Sequence, residues 1–473
     1  MTKFSPLYLF SVLLFFSCNN NSKESYDLVI SNASIIDVEN DKVISGQTIF
    51  ISEDEIVEVG DNRDKDSYTS KEEIDAQGKF VMPGLWDNHV HFRGGDTLIR
   101  ENKDLLPLFL AYGITTVRDA GGDITPSVLK WKDQIDKGEL DGPTIFSSGP
   151  KLDGDQPAWP GSIKVSDSSD IEAALDSVEK LEVDYVKMYD GNLSAENYYG
   201  IIEAAEKRGL KTTGHMPMSA DFMKAISLGL DGAEHMYYPL KACSPAADSL
   251  TKLNLGYGMI EPLIDTYDPE LADEVFAKMS EENVFVTPTL YIGKTLAEIL
   301  EVDHQQDSLL NYIGSGIEKT YQGRIEGAKR AKASGSKMRE KMEEISTKMI
   351  GPMQNAGVKI LAGSDCGAFN SYVYPGESLH GELSALAGAG LTNAQTLRTS
   401  IVNGPEFLDL EDKYGSVKEG KVADLLLLEK NPLENLQNLQ EITAVVKNGK
   451  VINREDLRNM LQSVKRQNGL ENE

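Results

Sequence analysis

The feature that most narrows the fold of this chain is an eightfold alternation. Apolar, strand-like runs recur at residues 80–91, 114–119, 144–149, 183–189, 210–215, 232–235, 284–290 and 358–365, separated by longer segments of helical period. Such alternation signals parallel strands joined by crossover helices. Eight units predict an α/β fold of the (β/α)8 TIM-barrel type, spanning residues 83–405.

The flanks have a different texture. Short β-like runs fill 26–82 and return within 406–456, where Asn448-Gly449 is a strong hairpin turn. The two blocks are expected to pair into one small β-sandwich built from both chain ends. Residues 297–354 are charged and helical in period, longer than a barrel helix needs, and predict an excursion over the barrel mouth. Residues 457–473 form the tail, and the stretch after about Arg454 reads as a solvated helix or a frayed end.

The first 18 residues are of another kind. Lys3 precedes a nearly unbroken apolar run from Leu7 to Phe16, and Ser17-Cys18 follows. The run is too short to span a membrane and reads as an export signal. Cys18 resembles a lipoprotein processing site, with an ordinary cleaved signal as the alternative, and 19–25 is a polar tether. A lipidated Cys18 would make this a cell-envelope protein, periplasmic or outer-membrane-attached, touching membrane only through its anchor. Cys243 and Cys366 are no disulfide framework and are expected to be free. With 75 acidic against 47 basic residues, a net charge of −28 argues against nucleic-acid binding.

Four of the six histidines stand at or just past the ends of the runs, where the loops of a barrel open into one mouth. His89 and His91, two apart on a strand, point to the same side and can chelate one ion. His215 and His235 close the fifth and sixth runs. Each taken singly is better read as a structural histidine; the pair at matching positions is not. Asp365 ends the eighth run, where a carboxylate can hold metal and accept a proton, or else cap a helix. Lys187 shares a strand face with Val183, Tyr185 and Tyr189, so an ammonium points where apolar groups go. Desolvation lowers a lysine pKa, and a neutral amine can take up carbon dioxide as a carbamate. The alternative is an internal lysine paired with an acid such as Asp190.

In these residues the chain resembles the amidohydrolase superfamily, in particular the branch with imidazolonepropionase-like and prolidase-like (Xaa-Pro dipeptidase) enzymes. The similar segments run from about Asp75 to Lys447. They include Pro83-Gly84-Leu85-Trp86-Asp87-Asn88-His89-Val90-His91, Gly113-Ile114-Thr115-Thr116-Val117-Arg118-Asp119, Asp184-Tyr185-Val186-Lys187, Glu234-His235, Gly363-Ser364-Asp365, Ser378-Leu379-His380-Gly381-Glu382-Leu383 and Tyr414-Gly415-Ser416-Val417-Lys418-Glu419-Gly420. The resemblance implies two divalent ions, zinc by default. His89, His91 and Asp365 would hold one and His215 and His235 the other, with Lys187 carboxylated by carbon dioxide bridging them beside an activated water. It also implies cleavage of an amide or peptide C–N bond, with dipeptides or N-acyl amino acids the leading substrates and Asp365 passing the proton to the leaving amine. Deaminase-like members carry a glutamate shortly after the fifth-strand histidine; here Met216-Pro217-Met218 follows His215.

Tyr237, Tyr238, Tyr291 and His380 follow the ligand positions and are candidates for substrate binding or for simple packing. His304 is expected to be a solvated helix residue. Two other readings stay open. A cyclic amide, lactone or phosphotriester would yield to the same chemistry, and a non-catalytic surface-binding lipoprotein would be expected to lack ligands, none of which is missing.

Overall fold

The structure, a computed structural model, describes residues 23–468, so the export signal and Cys18 lie outside the described residues. Glu24 and Ser25, expected in the tether, already belong to a strand, Glu24–Asp37.

Each of the eight runs contains a parallel strand, here β1 (Leu85–Val90), β2 (Ile114–Asp119), β3 (Thr144–Ser147), β4 (Val186–Met188), β5 (Thr212–Gly214), β6 (Gly232–Glu234), β7 (Phe285–Thr287) and β8 (Lys359–Ile360). They form three sheets: β1-β2-β3, β4-β5 extended by two short strands from the loop after β3, and β6-β7-β8. Hydrogen bonds run across the seams. Asp184 N donates to Ser147 O between β3 and β4, Thr213 Oγ1 to Glu234 Oε1 between β5 and β6, and Asn88 N to Ala362 O between β1 and the segment after β8. The first and last strand segments are thus joined.

Helices pack apolar faces on these strands. In Ala195–Arg208, Ser194 caps the start through Asn197 N, Gly209 ends the helix at φ 69°, and Tyr198, Ile201, Ile202 and Ala205 form the buried stripe. Spacings of three and four put those side chains on one face, which is why this polar sequence folds as a helix against the strands.

The run at 80–91, expected as one strand, is two. Phe80–Pro83 joins a separate sheet, and β1 starts after Gly84. At Gly84 the chain passes so close to β2 that a Cβ would lie 2.1 Å from Thr115 Oγ1. Only glycine lets the backbone cross there.

The separate sheet draws on both chain ends. Its order is Lys450–Asn453, Ile442–Lys447, Leu425–Leu428, Phe80–Pro83, Glu24–Asp37, Lys42–Ser52 and Glu55–Asp61, with Tyr68–Asp75 also paired to Glu24–Asp37. Leu28 and Ile30 pack with Leu425 and Leu427, while Val29 faces the other way onto Tyr26, Phe50 and Tyr68.

Among the described residues, the segment after Asn453 is a helix rather than a frayed tail. The helix Arg454–Gln467 starts at an Asn453–Asp456 capping box and buries Leu457 and Val464, seven residues apart on one face. Cys243 and Cys366 are buried and free. No helix of the described residues is long and apolar enough to cross a membrane.

Between β7 and β8 lie α1 (Leu290–Ala297), a short helix Ser315–Thr320, α2 (Gln322–Ser334) and α3 (Met338–Ala356), the last three within or almost within the expected excursion; after β8 follows α4 (Glu377–Gly388). The helices α1, α2 and α3 contribute walls to the cavity that holds the candidate site, α2 through Arg324.

Candidate metal centre

His89 and His91 leave β1 on one side, with their Nε2 atoms 3.3 Å apart. Asp365 Oδ1 lies 3.5 Å from His89 Nε2 and 3.2 Å from His91 Nε2, and the three residues form a buried cluster able to hold an ion. His215, just past β5, and His235, just past β6, face each other with Nε2 atoms 3.1 Å apart. His235 Nε2 is 4.0 Å from Asp365 Oδ2, so the two groups are contiguous.

The outward ring nitrogens explain why these imidazoles point inward. His89 Nδ1 meets the Glu234 carboxylate at 2.6 Å, His91 Nδ1 the Gly121 carbonyl at 2.9 Å, and His215 Nδ1 the Asp190 carboxylate at 3.2 Å. His235 Nδ1 meets Thr289 Oγ1 at 2.7 Å, and that hydroxyl already donates to Pro288 O. Each Nδ1 therefore donates, and each Nε2 keeps its lone pair. Lone pairs facing one another at 3.1 and 3.3 Å repel unless a cation lies between them. This donor set fits divalent metal.

Lys187 Nζ is buried within β4 and has no hydrogen-bond partner among the described residues. The pairing with Asp190 does not form, because Asp190 is engaged by His215 and by the Tyr257 hydroxyl at 2.6 Å. Burial lowers the Lys187 pKa to about 8 against the opposing pull of Glu234. Roughly a tenth of this amine is then neutral at pH 7, against about one part in three thousand for an ordinary lysine, and carbamate formation needs that neutral form.

Burial by itself would raise the Asp365 carboxyl, but His89, His91 and His235 outweigh it and hold it well below the usual carboxylate range. Asn370 Nδ2 donates to Asp365 Oδ1 at 2.7 Å and fixes its rotation. Burial lowers all four imidazoles below their ordinary range. Asp365 and His235 both have left-handed backbones, φ 57° and 67°. Such conformations cost about 1–3 kcal/mol each and collect at functional sites.

Residues outside the expected set support the ligands. Glu234, one before His235, receives Arg118 Nη2 at 2.9 Å as well as His89 and Thr213. Asp87 accepts Ser364 N and Oγ at 2.9 and 2.6 Å, tying β1 to the loop of Asp365. Alternation along β2 and β6 placed Arg118 and Glu234 in phase with the inward face; nothing local marked them as partners.

The cavity over the site measures about 350 Å³ and is lined by His215, His235, Asp365, Tyr237, Tyr257 and the excursion helices. Of the expected substrate contacts, Tyr237 lies in this wall. Tyr238 is fully buried behind it, its hydroxyl 3.2 Å from that of Tyr257. Tyr291 and His380 do not line the cavity: the Tyr291 ring covers Gly381, and His380 Nε2 meets the Tyr112 carbonyl at 2.8 Å. His304 is half-buried and stacked on Tyr372 with ring centroids 3.6 Å apart, so it is not the solvated residue expected.

On α4, Glu382 Oε2 accepts Tyr291 N at 2.7 Å while Oε1 is buried without a hydrogen-bond partner among the described residues. Burial pushes its carboxyl up to about 8 from an ordinary 4.5. The folded chain then holds a proton that the unfolded chain releases above pH 4.5, so this group's stabilisation declines as pH rises toward 8. Glu382→Gln cannot ionise, and its advantage over the parent is expected to grow between pH 5 and 8 by on the order of 3 kcal/mol. Urea midpoints at the two pH values measure it; an equal difference at both would show that Glu382 ionises freely in the fold.

Parallel strands wrapped by helices, with histidines and an aspartate converging at their C-terminal ends, define a class: α/β proteins whose barrel mouth is a metal-ligand cluster. The chain belongs to the amidohydrolase family, whose sequence pattern matches residues 80–452. Its fold contains a TIM barrel. Among curated relatives, an adenine deaminase of Petrotoga mobilis is 41% identical over 87 residues, 18% of this chain and 14% of that protein. The chain thus spans about 14–15% of the length of the adenine deaminases it matches first. The ochratoxinase of Aspergillus niger is 23% identical over 430 residues, covering 78% of this chain and 75% of its own. A solved Xaa-Pro dipeptidase with methionine in its active site superposes with a TM-score of 0.66 at 19% identity, covering 90% of this chain and 99% of that one.

Proposed function

We propose that the protein is a metal-dependent hydrolase of the prolidase-like branch that cleaves an amide C–N bond, with dipeptides or N-acyl amino acids as substrates. The observation that carries this is the convergence of four lone-pair-bearing imidazoles, an ionised aspartate and a buried lysine without a hydrogen-bond partner among the described residues, at the floor of a cavity that His215, His235 and Asp365 line.

His89, His91 and Asp365 would hold one ion, His215 and His235 the second, and carboxylated Lys187 would bridge them; zinc suits these donors. Two such ions supply a water of lowered pKa and a polarised carbonyl. The chain does the rest. Glu234, Asp190, Gly121 and Thr289 hold each imidazole in the tautomer that presents Nε2. Asp365, ionised and locked by Asn370, takes the proton of the attacking water and delivers it to the departing nitrogen. The excursion helices screen the bond from bulk water.

The domain reading goes with it: a barrel over 83–405 and a β-sandwich formed by the sheet from both chain ends. Export and anchoring through Cys18 belong to the same proposal and rest on the sequence of residues 1–18. Cys18→Ser and radiolabelled palmitate would test them.

The test of function is a substrate panel on protein purified with zinc and bicarbonate: dipeptides, N-acyl amino acids, a lactone and adenine. Hydrolysis of amides, abolished by a chelator and restored by zinc, is expected. Turnover of only the lactone or only adenine would overturn the proposal.

A further inference from the structure

Each imidazole is oriented by a partner at the end of a barrel strand, and three of those partners are themselves fixed there. Glu234 is fully buried and takes Arg118 and Thr213 as well as His89, Gly121 O is backbone, and the Thr289 hydroxyl is committed to Pro288 O. His215 is the exception. Its Nδ1 lies 3.2 Å from Asp190 Oδ1, the longest of the four contacts, and the other oxygen, Oδ2, is held by the Tyr257 hydroxyl at 2.6 Å.

Tyr257 belongs to a short turn, Gly256–Met259, in the connection between β6 and β7. The backbone N–H groups of Leu253, Asn254 and Gly258 bond to the carbonyls of Leu250, Thr251 and Leu255, so the reach to Asp190 is made by the Tyr257 side chain. Leu253 and Leu255 are exposed, while the Tyr257 ring turns to the cavity, edge-on to Tyr237 with centroids 5.3 Å apart. A carboxylate only accepts, so the Tyr257 proton is committed to Asp190, and Tyr238, 3.2 Å away, donates to the Tyr257 oxygen. Donors thus run from Tyr238 to Tyr257 to Asp190, with His215 donating from the other side. Tyr238 lies on the helix Tyr237–Ala242 that follows His235, so the segment after one ligand of the second ion orients the other.

We infer that Tyr257 is a positioning residue for the second metal ion: its hydroxyl fixes the rotation of Asp190, and with it the Nδ1–H tautomer through which His215 presents Nε2. The inference rests on the two-ion centre of the proposed function and adds a group outside the barrel strands on which one of the ions depends. Hydrogen-bond partners behind a ligating histidine set metal affinity by about 10–100-fold. Asp190 and Tyr257 line both the cavity over the site and a neighbouring one of about 320 Å³, so a small side chain at 257 would let water take the place of the hydroxyl. Phenylalanine keeps the ring and removes only the donor.

The test is calorimetric titration of zinc into the metal-free full chain in bicarbonate buffer. The parent is expected to take up two ions. In Tyr257→Phe one site should weaken by about 10–100-fold and the other keep the parent's affinity, which also shows the fold to be intact. Tyr238→Phe, one hydrogen bond further away, should weaken the same site by less. Because the hydroxyl acts through Asp190, Tyr257→Phe should add nothing in an Asp190→Ala background. Parent-like affinity at both sites in Tyr257→Phe overturns the inference alone, as does an equal loss at both sites or an undiminished effect in Asp190→Ala. A parent that takes up a single ion removes the two-ion centre and the inference with it, whereas the expected affinities in a protein that hydrolyses no amide would remove the proposed function and leave the role of Tyr257 standing.

Discussion

Lys187→Ala is expected to bind one divalent ion or fewer per chain where the parent, prepared with zinc and bicarbonate, binds about two. Turnover should fall by roughly 10²–10³-fold, the scale of removing one electrostatic stabiliser from a dry site. The reason is that Nζ is the one buried polar group on β4 with no protein partner, in a position surrounded by ligands. A structural lysine would be hydrogen-bonded to an acid, and Asp190 is already taken by His215 and Tyr257. A second consequence separates function from stability. With its pKa lowered from 10.5 to about 8, Lys187 is neutral in the folded chain where the unfolded chain stays charged, so metal-free stability should rise with pH across that interval. In Lys187→Met the slope should vanish and the metal-free protein should be more stable at pH 7. Two ions in both parent and Lys187→Ala would instead make the lysine a bystander.

Asp365→Asn should lower kcat by roughly 10²–10⁴-fold, the range of a lost general acid–base group, with KM changed little. The amide keeps the shape and can still accept from Asn370, but it cannot take a proton. One ligand oxygen remains, so metal should stay partly bound. The strained backbone at Asp365 favours this substitution as a test, since asparagine tolerates the left-handed region as well as aspartate does. Near-normal turnover with full metal content would assign the proton transfer to another group.

The residues that converge in the candidate metal centre could be picked out because strand ends are local features. His89 and His91 announce themselves by a two-residue spacing, and His215, His235 and Asp365 by where apolar runs stop. Tyr291 and His380 have the same kind of position in the chain, yet one turns over Gly381 and the other toward Tyr112, because helix phase after a strand is set by packing. Arg324 and Arg339 were hidden for the opposite reason: in a charged helical stretch, an arginine facing a cavity and one facing solvent have the same neighbours in sequence.

By itself the sequence determined which residues could be ligands and the order of strands that presents them, since both follow from short-range periodicity and from the cost of burying a lysine. Only the tertiary structure decided what each ring nitrogen touches, that Lys187 Nζ has no hydrogen-bond partner among the described residues, and that two arginines more than a hundred residues from His215 share its cavity. Those depend on the last strand segment meeting the first, through Asn88 and Ala362, and that contact across 274 residues is recorded in no local pattern.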